Sequence, residues 1–297
     1  MSLIQLRGVL PPILTPFTQS GDLDERAHRF NLEKWNSVDL AGYLVLGSNG
    51  EAPYLSEQEK IRLIGLTAEH AARGRMIIAG TGLESTRETI RLTNLAAGAG
   101  AHAALVITPA FFGSQMNNEA LIGHFSAVAD ASPIPVLVYN VPAYTRLSIA
   151  VDVIGELSAH ENIAGMKDSS GEIDRIGTIR SVVPDSFQYI IGSAAAWYPG
   201  LLRGVRAGIL ALSNFAGSAC AELQKLVDDG KKNEAEKIHQ RIVPVNTAVT
   251  STYGVAGLKF ASSLFGYQAG YVRRPLRELR EGAKQDVRRI LTQSGFL

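Results

Sequence analysis

Eight short, almost uninterrupted apolar runs recur along the chain, at 8–17, 42–48, 76–81, 103–109, 135–142, 163–169, 189–193 and 208–214. A strand with one wet face alternates apolar and polar residues, and these runs do not. Continuous apolarity suits parallel strands covered on both faces. Between the runs lie amphipathic stretches at 56–72, 85–98, 118–131 and 173–183, with Ser56 and Glu59 spaced as a capping box where the first begins. Parallel neighbours need a crossover, and a strand–helix unit repeated eight times predicts an α/β chain of the (β/α)₈ TIM-barrel class. A doubly wound sheet is the competitor, but it places a glycine-rich phosphate turn after its first strand. Here Thr15-Pro16-Phe17-Thr18 follows instead.

From about residue 219 only helical patterns remain, at 219–228, 233–250, 255–265 and 275–292. No Ser/Gly-rich linker precedes them. The expected organisation is a catalytic barrel over 1–224 and a C-terminal helical domain over 225–297, packed on the barrel.

With 297 residues, 46% of them hydrophobic, the chain can bury a large core. A net charge of +1 offers no attraction for nucleic acid or an acidic membrane. The apolar runs fall well short of the roughly 20 residues that span a bilayer. The opening Met1-Ser2-Leu3-Ile4-Gln5 lacks the basic and long apolar segments of a secretory signal. A single Cys220 excludes an internal disulfide. The expectation is a cytoplasmic enzyme for a small molecule, with no nucleic-acid or membrane partner.

Barrel enzymes place their chemistry at the C-terminal strand ends. Lys167 stands at the end of the sixth run. Partial desolvation at such a place disfavours an ammonium ion, which suits an amine that must attack a carbonyl. A lysine that snorkels to solvent or pairs with Asp168 is an equal alternative for an isolated residue. Tyr139, one strand back at equivalent height, can shuttle protons beside such an amine, or merely edge the core. The turn Gly47-Ser48-Asn49-Gly50-Glu51 can gather backbone and side-chain donors into a carboxylate cradle, or simply lead into the next helix. None of the six histidines lies at a predicted strand C-terminus, and neither metal-ligand spacing, a nucleophile elbow, a P-loop nor a dinucleotide fingerprint is visible. No metal or cofactor is expected, and an imine on Lys167 would supply the electrophilic power.

Taken in order, Pro11 to Phe17, Gly47-Ser48-Asn49-Gly50-Glu51, Tyr139-Asn140-Val141-Pro142 and Gly165-Met166-Lys167-Asp168-Ser169 resemble the dihydrodipicolinate synthase/N-acetylneuraminate lyase family over essentially the whole chain. The resemblance implies a (β/α)₈ barrel with a C-terminal helical domain, assembled as a homotetramer of tight dimers. It implies Lys167 as the Schiff-base lysine, Tyr139 as the proton shuttle, and Ser48 with Asn49 holding a 2-oxo acid carboxylate.

Three positions depart from parts of that family. Tyr144 stands where the synthases carry an arginine for a semialdehyde carboxylate, although Arg146 is near. Ser193-Ala194-Ala195 replaces the acidic pair of the sialic acid lyases. Phe112 stands where a tyrosine normally reaches across the dimer to extend the proton relay, which leaves the relay to Ser48 with Tyr139 or to a water. The overall pattern is most similar to the 4-hydroxy-2-oxoglutarate aldolases, in which Ser169 and Ser193 would line the pocket as donors. The expected reaction is retro-aldol cleavage of a 4-hydroxy-2-oxo acid to pyruvate and an aldehyde. The alternatives are condensation of pyruvate with aspartate semialdehyde, aldol or dehydration chemistry on a 2-oxo-3-deoxy sugar acid, and a non-catalytic 2-oxo acid sensor, which Phe112 alone favours.

Overall fold

A computed structural model describes residues 4–297, so Met1 to Leu3 of the opening stretch lie outside the described residues. Strands and helices alternate as β1 (Gly8–Leu10), α1 (Glu25–Asn36), β2 (Gly42–Val45), α2 (Glu57–His70), β3 (Met76–Gly80), α3 (Thr86–Gly98), β4 (Ala103–Ile107), α4 (Asn118–Ala131) and β5 (Val136–Asn140). They continue as α5 (Pro142–Thr145), α6 (Val151–Leu157), β6 (Ile163–Asp168), α7 (Arg175–Arg180), β7 (Gln188–Ile191), α8 (Trp197–Leu202), β8 (Ala207–Ile209) and α9 (Ser213–Asp228). All paired strands are parallel, in the order β1-β8-β7-β6-β5-β4-β3-β2. The cylinder closes between β1 and β2, where Leu44 N–H donates to Pro11 O and Ile13 N–H to Leu44 O, both at 2.9 Å. This is the expected (β/α)₈ barrel.

The continuous apolarity of the strands has a direct structural reason. Successive residues alternate between two cores. Leu10, Leu44, Ile78, Leu105 and Leu137 fill the barrel interior, with Ile4 and Leu6 covering its N-terminal end. Their neighbours Val9, Val45, Ile77, Val106 and Val138 face the helices and pack with Leu32, Trp35, Ile64, Phe125 and Ile176. The expected capping box forms: Ser56 Oγ accepts from Glu59 N–H at 3.2 Å, and Glu59 Oε2 accepts from Ser56 N–H at 2.8 Å. Asp24, Ser85 and Asn117 cap α1, α3 and α4 from one side only, each side chain accepting a backbone N–H.

The structure corrects the expected elements at three places. The first run is strand only to Leu10, because Pro11 and Pro12 have no N–H for a ladder. The eighth ends at Ile209, and Ser213 and Asn214 instead open α9. There the Asn214 side chain accepts from Leu14 N–H and donates to Pro12 O, so it staples the first strand segment to α9. The last helix begins at Glu281 rather than at 275. α1 escaped the apolar pattern because its buried stripe includes the polar His28 and Asn31. The residue 224/225 division falls within α9.

Beyond α9 come α10 (Lys232–Thr247), a π-helical turn at Ala248–Thr252, α11 (Gly254–Leu264) and α12 (Glu281–Gln293). α10 lies against the single turn Ala194–Ala196 that follows β7, so this extension reaches the same end of the barrel as the candidate residues. Among the described residues, no helix is long and apolar enough to cross a membrane.

Candidate active site

The ladder between β5 and β6 sets Tyr139 opposite Lys167 and Asn140 opposite Asp168. Strand parity then divides the four. Tyr139 belongs to the inner core, and Lys167 Nζ lies 4.1 Å from the centroid of its ring. Both are deeply buried, Lys167 at 3% and Tyr139 at 6% exposure. Burial alone would raise the Tyr139 phenol. The Lys167 ammonium, together with the nearby polar hydroxyls of Ser169 and Ser48, outweighs it and holds the phenol below the usual tyrosine range. The Ser169 hydroxyl closes no aligned hydrogen bond of its own, so its Oγ remains buried and unpartnered. Close approach of β7 demands glycine here, since a Cβ on Gly192 would fall 1.9 Å from Ser169 Oγ.

Asn140 and Asp168 face outward, and there each polar atom of their own two side chains is engaged. Asp168 Oδ1 accepts from Asn140 Nδ2 and from Ser170 N–H, both at 2.9 Å. Its Oδ2 accepts from Tyr189 Oη at 2.7 Å and lies 3.3 Å from Arg175 Nε. The alternative in which Lys167 pairs with Asp168 is thereby excluded, because the two side chains leave opposite faces of one strand. The snorkelling alternative fails on Lys167's burial.

The turn after β2 is held between two non-glycine residues in left-handed backbone, Leu46 (φ 61) and Glu51 (φ 56). Strain of this kind persists where surrounding structure enforces it, often at binding sites. Ser48–Gly50 forms one tight turn between them. Ser48 and Tyr139 line a cavity of about 420 Å³ that runs outward past Thr108 and Ala110 to Tyr144, Glu84 and Lys60. Thr108 Oγ1 is buried without a partner on this wall. Burial lowers the Lys60 ammonium's pKa, and Glu57 only partly offsets that. A larger cavity of about 1100 Å³, along Gln19–Gly21 and Tyr271–Glu278, contains none of the strand-end residues.

Four of the sequence-derived residues therefore come together: Lys167, Tyr139, Ser48 and Ser169. Lys167 and Ser169 adjoin Tyr139 and are not among the residues that line the cavity. Ser193 follows Gly192 and accepts a long 3.5 Å hydrogen bond from Asn246 Nδ2 on α10. Asn49 is half-buried and does not line the cavity. Sequence reasoning missed Asn246, Thr108 and Lys60. Asn246 carried no signal, being one polar residue in an amphipathic helix. Thr108 stood at a strand end and was readable there.

The model of the dihydrodipicolinate synthetase family matches residues 5–294. The chain belongs to that family. The 4-hydroxy-tetrahydrodipicolinate synthase of Methanothrix thermoacetophila is 33% identical over 292 residues, covering 98% of this chain and 98% of the relative. The enzyme of the same name from Rhodopseudomonas palustris is 33% identical over 293 residues, covering 98% and 97%. The structure of the Methylacidiphilum fumariolicum SolV 4-hydroxy-tetrahydrodipicolinate synthase matches with a TM-score of 0.92 at 30% identity, covering 98% of this chain and 96% of that one. Membership of the dihydrodipicolinate synthetase family makes the chain a carbon–carbon lyase of the Schiff-base-forming kind.

Proposed function

We propose that the protein cleaves a 4-hydroxy-2-oxo acid, of which 4-hydroxy-2-oxoglutarate is the type, into pyruvate and an aldehyde. The observation that carries this reading is the buried Lys167–Tyr139 pair, an amine beside a phenol held below its usual pKa. Ser48 and Asn49 receive the substrate carboxylate, and Ser169 and Ser193 face the remaining oxygens. The Lys167 amine, in its neutral form, attacks C2. The carbinolamine loses water to give an iminium ion. Tyr139, as phenolate, takes the proton from the C4 hydroxyl while the C3–C4 bond breaks and its electrons enter the iminium, forming an enamine. The aldehyde leaves, C3 takes a proton, and water hydrolyses the imine to release pyruvate and the free amine.

Tyr144 supports cleavage over condensation. It borders the cavity mouth at 59% exposure, where a synthase places an arginine for the semialdehyde carboxylate. Condensation of pyruvate with aspartate semialdehyde is the second reading, favoured by the names of the relatives at 30–33% identity. Assembly as a homotetramer belongs to the same proposal. Phe111 and Phe112, 79% and 63% exposed beside the cavity mouth, offer a second copy an aromatic surface to cover.

A lactate dehydrogenase-coupled assay tests the reaction. Pyruvate release from 4-hydroxy-2-oxoglutarate supports cleavage. Pyruvate consumption only when aspartate semialdehyde is supplied would replace it with the second reading.

A further inference from the structure

A buried ion pair joins the turn after β2 to the C-terminal extension. Lys259 Nζ on α11 lies 2.6 Å from Glu51 Oε1, and the side chains are only 3% and 1% exposed. Glu51 Oε2 accepts from Arg273 N–H at 2.8 Å. Each oxygen of one carboxylate is thus held by a different segment of the C-terminal extension. Lys259 also donates to Tyr271 O and sits 4.7 Å from the centroid of the Phe17 ring. The Arg273 guanidinium covers the same ring at 4.1 Å and binds Glu59 of α2 through two hydrogen bonds, at 2.8 and 2.6 Å.

Glu51 is the hinge of the turn that carries Ser48 and Asn49. It closes the Ser48–Gly50 turn by donating its N–H to Ser48 O at 3.1 Å, and in left-handed backbone it opens the next turn, Ala52–Tyr54. Thr15 Oγ1 fixes the same turn from the first strand segment by donating to Gly50 O at 2.7 Å. A glutamate in this backbone region is strained, so what holds its side chain also holds the turn. Stability alone is a poor reason for such a pair, because apolar residues of similar shape commonly serve as well. Fixing position is the role in which buried charges are best attested.

We propose that the C-terminal extension sets the substrate-carboxylate turn through the Lys259–Glu51 pair, making both positioning residues for the carboxylate of the 2-oxo acid. The inference rests on reading Ser48 and Asn49 as the carboxylate cradle. Neither Lys259 nor Glu51 touches the substrate. Their effect is to hold the two donor residues at the register that a carboxylate three bonds from the attacking Lys167 amine requires.

Borohydride trapping on the full chain separates these ideas. It is titrated with pyruvate and with hydroxyacetone, a methyl ketone that offers a carbonyl but no carboxylate. The wild type is expected to trap pyruvate at much lower concentration. In the Glu51→Gln/Lys259→Met double variant, which leaves no lone buried charge, the pyruvate half-saturation rises about tenfold to a hundredfold, as misplacement by an ångström commonly costs. Hydroxyacetone trapping stays within about twofold of the wild type. Glu51→Asp keeps the charge, tolerates left-handed backbone and shortens the reach, and shows the same split should the double variant fail to fold. Unchanged pyruvate trapping, or equal loss with both ketones, would overturn the proposal. A wild type that shows no preference for pyruvate would overturn the cradle itself.

Discussion

Residues 139 and 140 on β5, and 167 and 168 on β6, form two neighbouring pairs with opposite fates. Asn140 and Asp168 point outward with every polar atom of their own side chains engaged: Asp168 has four partners, and Asn140 Oδ1 also accepts from Ile149 N–H at 3.0 Å. Tyr139 and Lys167 point inward, buried as deeply, with an unpartnered serine hydroxyl beside them and a cavity at the phenol. A satisfied polar group rigidifies the strand end, whereas an unsatisfied one remains free to bond to a ligand. One residue of register separates scaffold from chemistry.

Breaking the inward pair gives the largest effects. Lys167→Ala is expected to lower kcat by at least about ten-thousand-fold while leaving the melting temperature near that of the wild type, measured by pyruvate release and calorimetry. Tyr139→Phe retains the amine and should lower kcat about a hundredfold to ten-thousand-fold. A loss of less than tenfold would remove the phenol from the proton transfers. Breaking the outward pair reverses the pattern. Asp168→Ala strands the Arg175 guanidinium and the Tyr189 hydroxyl, and is expected to cost about 3–5 kcal/mol of stability in urea melts. Its residual activity should follow the folded fraction.

A smaller effect sharpens the coupling within the inward pair. In Lys167→Met the ammonium is gone but burial remains, so the Tyr139 phenol should titrate at higher pH than in the wild type, where it lies below the usual tyrosine range. Ultraviolet difference titration against Tyr139→Phe isolates this one phenol. An unmoved midpoint would show that Lys167 is not the group that lowers it. The smallest effect is expected at Ser193, whose hydroxyl has, among the described residues, only the long hydrogen bond from Asn246. Ser193→Ala should raise KM by no more than about threefold, the cost of a weak neutral hydrogen bond.

The inward and outward division was half legible in the sequence. Continuous apolar runs announced parallel strands, and Lys167 and Tyr139 stood out because charged or polar residues at the end of such runs need a reason. Sequence alone left pairing between Lys167 and Asp168 open, because it does not show which strand ends have outward partners. Arg175 and Tyr189, which claim Asp168, sit on separate later elements. The same limit hid Lys259. Nothing local to 255–265 marks one lysine of an apolar helix as the partner of Glu51, since the contact exists only once the extension has docked. α1 was obscured for another reason: His28 and Asn31 occupy its buried stripe, where His28 Nε2 bonds to Thr67 Oγ1 and the Asn31 side chain bonds to the carbonyl and the N–H of Gln268.

The most direct measurement is borohydride reduction of the protein in the presence of pyruvate, followed by peptide mass spectrometry. The account predicts a single reduced pyruvyl adduct on Lys167, absent from Lys167→Ala. No adduct, or an adduct on Lys60 or another lysine, would contradict it.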